Sequence, residues 1–336
     1  MAGIGFATVP ALYWLNRFNW RQVFKVGLLA GIALNLASAV TVDLLPLTVI
    51  RFFCGLSSGT IVAVCLTSFG LTRRPDRNYA LWVAAQLLIG AFGLAILPHV
   101  MPQLGVKVVF LTLAAVLCIA MFFLQYVPVG QVTQAATEGR KSAGLNANSI
   151  IKIALGVAGL YLFYVALSGI WAYIERIAVS ANIASNHIGY VLAIASILGI
   201  AGALSASLLD VRLGRFLPTV AGVATIVGGM FLLLGVGPAS SGALLFFASG
   251  AFLFKYAWTF ILPYFLAAIS SQDKSGRAIV IANIFVGGGL ASGPAIAAQF
   301  IDGGGYMPLI TMGVACMLAC FMLFLPLILG RNLVRQ

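Results

Sequence analysis

Charge is what this sequence has least of. Of its 336 residues only 8% are Asp, Glu, Lys or Arg, and just 7 are acidic. A soluble domain carries about a quarter charged residues, and a chain of this size has too much surface to cover with so few. Water-soluble enzymes and disordered tails are therefore excluded. Metal chemistry is poorly provided for as well: 2 histidines and scattered acids give no spacing at which ligands would converge, so no metal and no cofactor is expected. The 5 cysteines, Cys54, Cys65, Cys118, Cys316 and Cys320, all fall inside apolar stretches. They read as small buried hydrophobes and not as a disulfide framework.

What the sequence has in excess is apolar residues, 62% of the chain. They come in runs at about 1–15, 24–42, 45–70, 79–98, 106–127, 151–174, 187–209, 216–236, 241–268, 278–301 and 306–329. Each can cross a hydrocarbon core of about 30 Å as a helix, the first being the shortest. Strands of a barrel would be nearer ten residues and would alternate in polarity, which these runs do not. The expectation is an all-α membrane protein, a polytopic bundle of about eleven transmembrane helices. No charged segment precedes the first run, so a cleavable signal peptide is not expected.

The net charge of +12 comes from 19 Lys and Arg in small clusters. A nucleic-acid module would gather them on one basic face; here they punctuate alternate links between runs. Arg17, Arg21 and Lys25 follow the first run, Arg73, Arg74 and Arg77 the third, and Arg140, Lys141 and Lys152 flank the fifth-to-sixth link. Arg212 and Arg215, then Lys274 and Arg277, then Arg331 and Arg335 continue the pattern. The intervening links are nearly free of positive charge, Lys107 excepted. By the positive-inside rule the charged links are cytoplasmic, which places the C-terminus inside and, with an odd count, the N-terminus outside. The expected organisation is an N-terminal bundle over 1–127, a cytoplasmic linker over 128–150 and a C-terminal bundle over 151–336. A polar linker between two sets of spans is the arrangement in which internal repeats are sought.

Several segments then match a known pattern. Asn16-Arg17-Phe18-Asn19-Trp20-Arg21 and Asp210-Val211-Arg212-Leu213-Gly214-Arg215 each follow a helix in the same relation. Both resemble the short helix-joining loop of the major facilitator superfamily, which runs Gly, Asp-Arg, then Gly-Arg-Arg. The first copy has Asn for the acid and the glycine; the second carries an extra residue after Asp210. Arg51 through Gly55 to Gly59 is similar to the family's fourth-helix motif. Asp273-Lys274-Ser275-Gly276-Arg277 resembles the loop before its eleventh helix, and Gly287 through Gly293-Pro294 the glycine-rich eleventh helix itself. Their order and sidedness carry the resemblance across nearly the whole chain. It implies two pseudo-symmetric halves, alternating access, the proton as driving ion, and gating roles for Arg17, Arg21, Asp210, Arg212, Arg215, Asp273 and Arg277. In this alignment the first run matches the family's second helix. The resemblance thus implies that a counterpart of the first helix is lacking; a misassigned start, a truncation and a genuine eleven-helix protein all fit.

Charges inside the spans need a reason, since one at the bilayer centre costs at least about 2.5–3.5 kcal/mol on insertion scales. Lys255 lies roughly 20 Å into its run at 1.5 Å per residue. It either binds an anionic substrate group or a carboxylate partner, or is satisfied by carbonyls, waters and a tilted helix. Trp258 and Thr259 stand three and four residues further on the same helix face. Aromatic walls around one cation suit a small organic anion, aromatic anions included; lipid-facing aromatics are the bland alternative. Tyr161, Tyr164, Ser168, Trp171 and Glu175 recur at helical spacing as a stripe poorly matched to lipid tails. It lines a cavity, or its outer part is an interfacial aromatic belt with a local Arg176–Glu175 pair. Arg51, Gly55 and Gly59 share a face that admits close helix packing; the resemblance adds a role in coupling for Arg51.

Taken together these features point to a secondary active transporter of a small organic anion, a monomer in the bilayer, by its short loops in a bacterial inner membrane. The alternatives are proton-antiport efflux of drugs or other small molecules, and an inactive truncated transporter. The efflux reading wants a membrane-buried acid and a Gly-Pro pair in the fifth helix, where Gly90, Gly93 and Pro98 supply none. A lipid-linked transferase would need paired acids or an acid–base pair at the membrane face, so enzymatic function is not expected.

Overall fold

The computed structural model describes residues 18–127, 147–209, 214–237, 242–273, 276–301 and 306–329. The first apolar run, residues 128–146 of the expected 128–150 linker, and Arg17, Asp210 and Arg212 lie outside the described residues. Ten helices occupy the rest: α1 Trp20–Val40, α2 Leu44–Gly70, α3 Pro75–Leu104, α4 Lys107–Phe122, α5 Ala147–Ser180, α6 Ser185–Leu209, α7 Phe216–Leu234, α8 Ala243–Ser270, α9 Arg277–Ala298 and α10 Met307–Leu329. No strand occurs among the described residues. The fold is an all-α bundle, as the apolar runs require, because in lipid a helix satisfies every backbone polar group within itself. Eight of these helices are long and apolar enough to cross a membrane, and the protein is an integral membrane protein.

The helices keep to the apolar runs but overshoot some of them. α5 extends to 34 residues and carries Glu175 and Arg176 within it. Polar residues at a span's end still favour helix, because their backbone groups remain paired while the side chains reach water. At the other extreme, the run at 106–127 divides into the 16-residue α4 and a 3-10 turn, Leu124–Tyr126. Arg21 closes that end: its guanidinium donates to the carbonyls of Gln125 at 2.7 Å and Val127 at 3.1 Å, groups that a helix end leaves without partners. Asn19 caps α1, its side chain accepting from the Arg21 amide at 2.9 Å.

The chain forms two compact units. The first comprises residues 1–71, 90–148 and 273–287, and the second 72–89, 149–272 and 288–336. In the first, α1 packs on both α2 and α4, and Ser57 donates to the Gly27 carbonyl at 2.6 Å. In the second, α8 lies between α6 and α7, and α10 packs on α7. Small residues set these approaches. A Cβ at Gly202 of α6 would run into the Tyr256 carbonyl of α8, and one at Gly293 of α9 into the Ser168 hydroxyl of α5. The contact end of α8 is solid core: Phe265 stacks on Phe324 of α10 with ring centroids 3.9 Å apart.

Candidate substrate site

The second unit holds a lysine boxed by aromatic rings. Lys255 leaves α8 and runs across Gly199 of α6, where a Cβ would stand 3.2 Å from its Cγ and 3.6 Å from its Cε. A bare backbone at this position makes room for the stem. The ammonium lies 4.1 Å from the centroid of Trp258 and 4.3 Å from that of Trp171, well inside the roughly 6 Å at which a cation is held by an aromatic face. Trp258 is one turn along α8 and Trp171 comes from α5. Their rings are 6.3 Å apart and nearly perpendicular, 78° between planes. Phe254, fully buried, stacks parallel to Trp171 at 6.3 Å and edge-on to Trp258 at 6.2 Å. Lys255, Trp171 and Trp258 are all part-exposed, and no carboxylate among the described residues pairs with the ammonium.

The structure thus joins two groups that the sequence offered separately, the α8 cation with its tryptophan and one member of the α5 stripe. Other members of the stripe go elsewhere. Tyr164 and Ser168 are buried against α9, with the Ser168 hydroxyl facing the carbonyls of Tyr164 at 2.7 Å and Gly289 at 3.0 Å. The Tyr161 hydroxyl meets Ser292 at 2.9 Å. Thr259 turns its hydroxyl to the Gly199 carbonyl and so ties α8 to α6. Glu175 is exposed, and its neighbour Arg176 lies over the Tyr173 ring at 5.4 Å.

Arg51 sits in the first unit. Its Nη1 donates to Asn35 Oδ1 of α1 at 2.9 Å, and its guanidinium lies 5.2 Å over the Phe110 ring of α4. Asn35 in turn donates to the Gly31 carbonyl at 2.8 Å. One side chain therefore links three helices. At the start of α9, Asp273 accepts from the Ala278 amide at 2.9 Å. Gly276, at φ +76°, packs so closely on Thr67 that a Cβ would overlap it. This left-handed turn sets the helix entry.

The partner of Arg215 is a residue that sequence reasoning passed over. Asp76, in the first turn of α3, accepts from Arg215 Nε at 2.9 Å and Nη2 at 2.7 Å, and both side chains are buried. Tyr79, one turn on, is fully buried beside them. Among the described residues no group of three or more His, Cys, Asp or Glu is placed to hold a metal.

No family model matches this sequence, and no curated protein does. Solved structures do match. The human organic anion transporter MFSD10 (TETRAN) superposes with TM-score 0.74 at 17% identity, covering 96% of this chain and 81% of its own. The proton:xylose symporter XylE, a major facilitator superfamily protein, gives 0.71 at 15%, covering 95% and 83%. The E. coli fucose:proton symporter FucP gives 0.66 at 14%, covering 96% and 88%. With the helix order and glycine-set packing described above, these place the architecture: the chain has the fold of the major facilitator superfamily transporters.

Proposed function

We propose that the protein is a secondary active transporter that works by alternating access and carries a small organic anion, with the Lys255 ammonium as the anion's anchor. The observation that carries this reading is an ammonium held by Trp171 and Trp258 with no carboxylate beside it among the described residues. A cation kept inside a span without a counter-ion is costly. Indole faces offset part of that cost and leave N–H groups to be taken by an arriving carboxylate. Tyr161, Tyr164, Ser168, Thr259 and Glu175 complete the candidate binding set.

Arg51 is proposed to act in coupling, and the proton is the proposed driving ion. Its bond to Asn35 joins α1 to α2, so a change in Arg51 pairing is transmitted to both. Arg17, Arg21, Asp210, Arg212, Arg215, Asp273 and Arg277 are proposed gating residues on the cytoplasmic side, and Asp76 joins them as the partner of Arg215. A bacterial inner membrane, a monomeric state and a cytoplasmic C-terminus belong to the same reading. Among the proteins sharing the fold, one is described as an organic anion transporter and two as proton symporters, which is in keeping with it. The test is counterflow in proteoliposomes with a panel of aromatic carboxylates beside a panel of lipophilic cations. Exchange of carboxylates that is lost in Lys255→Ala supports the anion reading. Exchange of cations alone would replace it with efflux.

A further inference from the structure

The two indoles beside Lys255 are arranged as a receptor for a cation. Two aromatic faces at 78° to each other, with a positive nitrogen 4.1 and 4.3 Å from their centroids, are the geometry that recognises ammonium ligands. Phe254 stacks on Trp171 and meets Trp258 edge-on, itself without solvent exposure, a support for the corner that does not involve Lys255. The contents here are part of the chain. We infer that Trp171 and Trp258 form an organic-cation site that the protein fills with its own Lys255 ammonium, and that this self-occupancy is what bars small alkylammonium ligands from it.

The inference deepens the anion reading and rests on it for its biological meaning. A filled corner offers a carboxylate a positive charge and offers a cation only repulsion, so one side chain sets the sign of the ligand. The space that would open is defined. Truncating Lys255 to alanine removes Cγ, Cδ, Cε and Nζ, the atoms of n-propylammonium. It clears the path between Gly199 and the two rings, since the stem is what lies against Gly199. An alkylammonium of that length would put its nitrogen where Nζ was.

The probes are n-propylammonium and tetramethylammonium, titrated against the purified full chain in lipid nanodiscs and read by tryptophan fluorescence and by thermal shift. Lys255→Ala should bind both about tenfold more tightly than the unaltered protein, the scale of two part-exposed cation–π contacts. Adding Trp171→Leu or Trp258→Leu to that variant should abolish the gain. Lys255→Met, which refills the corner with an uncharged chain, should show none. Lys255→Ser serves the same test if the alanine variant does not fold. Equal cation binding with and without the lysine, or a gain that survives loss of either indole, would overturn the inference. Carboxylate counterflow in the same variants keeps the two readings apart. Loss of exchange in Lys255→Ala without any gain in ammonium binding would leave the anion anchor standing and remove the self-filled cage. Indole-dependent ammonium binding with undiminished carboxylate exchange would do the opposite. If both hold, millimolar n-propylammonium should restore exchange to Lys255→Ala.

Discussion

Arg215 grips Asp76 through two parallel hydrogen bonds, Nε to Oδ1 and Nη2 to Oδ2, across 139 positions of sequence. The aspartate is 1% exposed and the arginine 8%. Asp76 also lies in the first turn of α3, where the helix dipole favours an anion. One guanidinium nitrogen, Nη1, is buried and finds no acceptor among the described residues.

Breaking one side of this pair should therefore cost far more than removing both. Asp76→Leu or Arg215→Met alone strands the partner's buried charge, at about 3–5 kcal/mol. The double variant Asp76→Leu with Arg215→Met should recover most of that loss. Thermal unfolding of all four proteins in one detergent gives the cycle. Additive losses would mean that the two groups act independently.

A second expectation concerns helix approach. Gly202→Ala places a methyl group against the Tyr256 carbonyl, a backbone atom that moves only with α8. It should destabilise by about 1–3 kcal/mol, as overpacking does. Gly189→Ala, on the same helix but facing open space, should be neutral or stabilise by up to about 1 kcal/mol through helix propensity. Thermal shifts of the two variants, compared directly, check the packing of α6 on α8. Equal effects would contradict it.

The spans were legible because insertion in lipid demands long apolar runs, and every run within the described residues carries a helix. The exception in detail was 106–127, where composition could not show that the helix breaks into a 3-10 turn tied down by Arg21. The pairing of Lys255 with Trp258 could be read from spacing, since residues three apart share a helix face. Bringing Trp171 to the same cation is tertiary and leaves no trace in spacing. Tyr164 and Ser168 shared the polar stripe with Trp171. Their burial against Gly289 and Gly293 depends on how closely α9 approaches α5, a fact about two helices at once. Asp76 was hidden by its company. Among Arg73, Arg74 and Arg77 it reads as a loop acid balancing its neighbours, and nothing local points to Arg215.

Arg51 yields a third expectation. Its bond to Asn35 Oδ1 is charge-assisted and part-buried. Asn35→Ala removes the acceptor and should cost about 1–3 kcal/mol. Asn35→Asp supplies a charged acceptor to Arg51 but loses the donor to the Gly31 carbonyl, so it should recover only part of that loss. If Arg51 acts in coupling, Asn35→Ala should also uncouple substrate flux from an imposed proton gradient while leaving counterflow intact. Flux that follows the gradient as in the unaltered protein would remove Arg51 from that role.

The central claim is that Lys255 anchors the transported anion, and carboxylate counterflow in proteoliposomes tests it most directly. At equal reconstituted amounts, Lys255→Ala should abolish exchange. Lys255→Arg should reduce it, because a flat guanidinium does not fit a corner built around a compact ammonium. Exchange by Lys255→Ala at the rate of the unaltered protein would contradict the account.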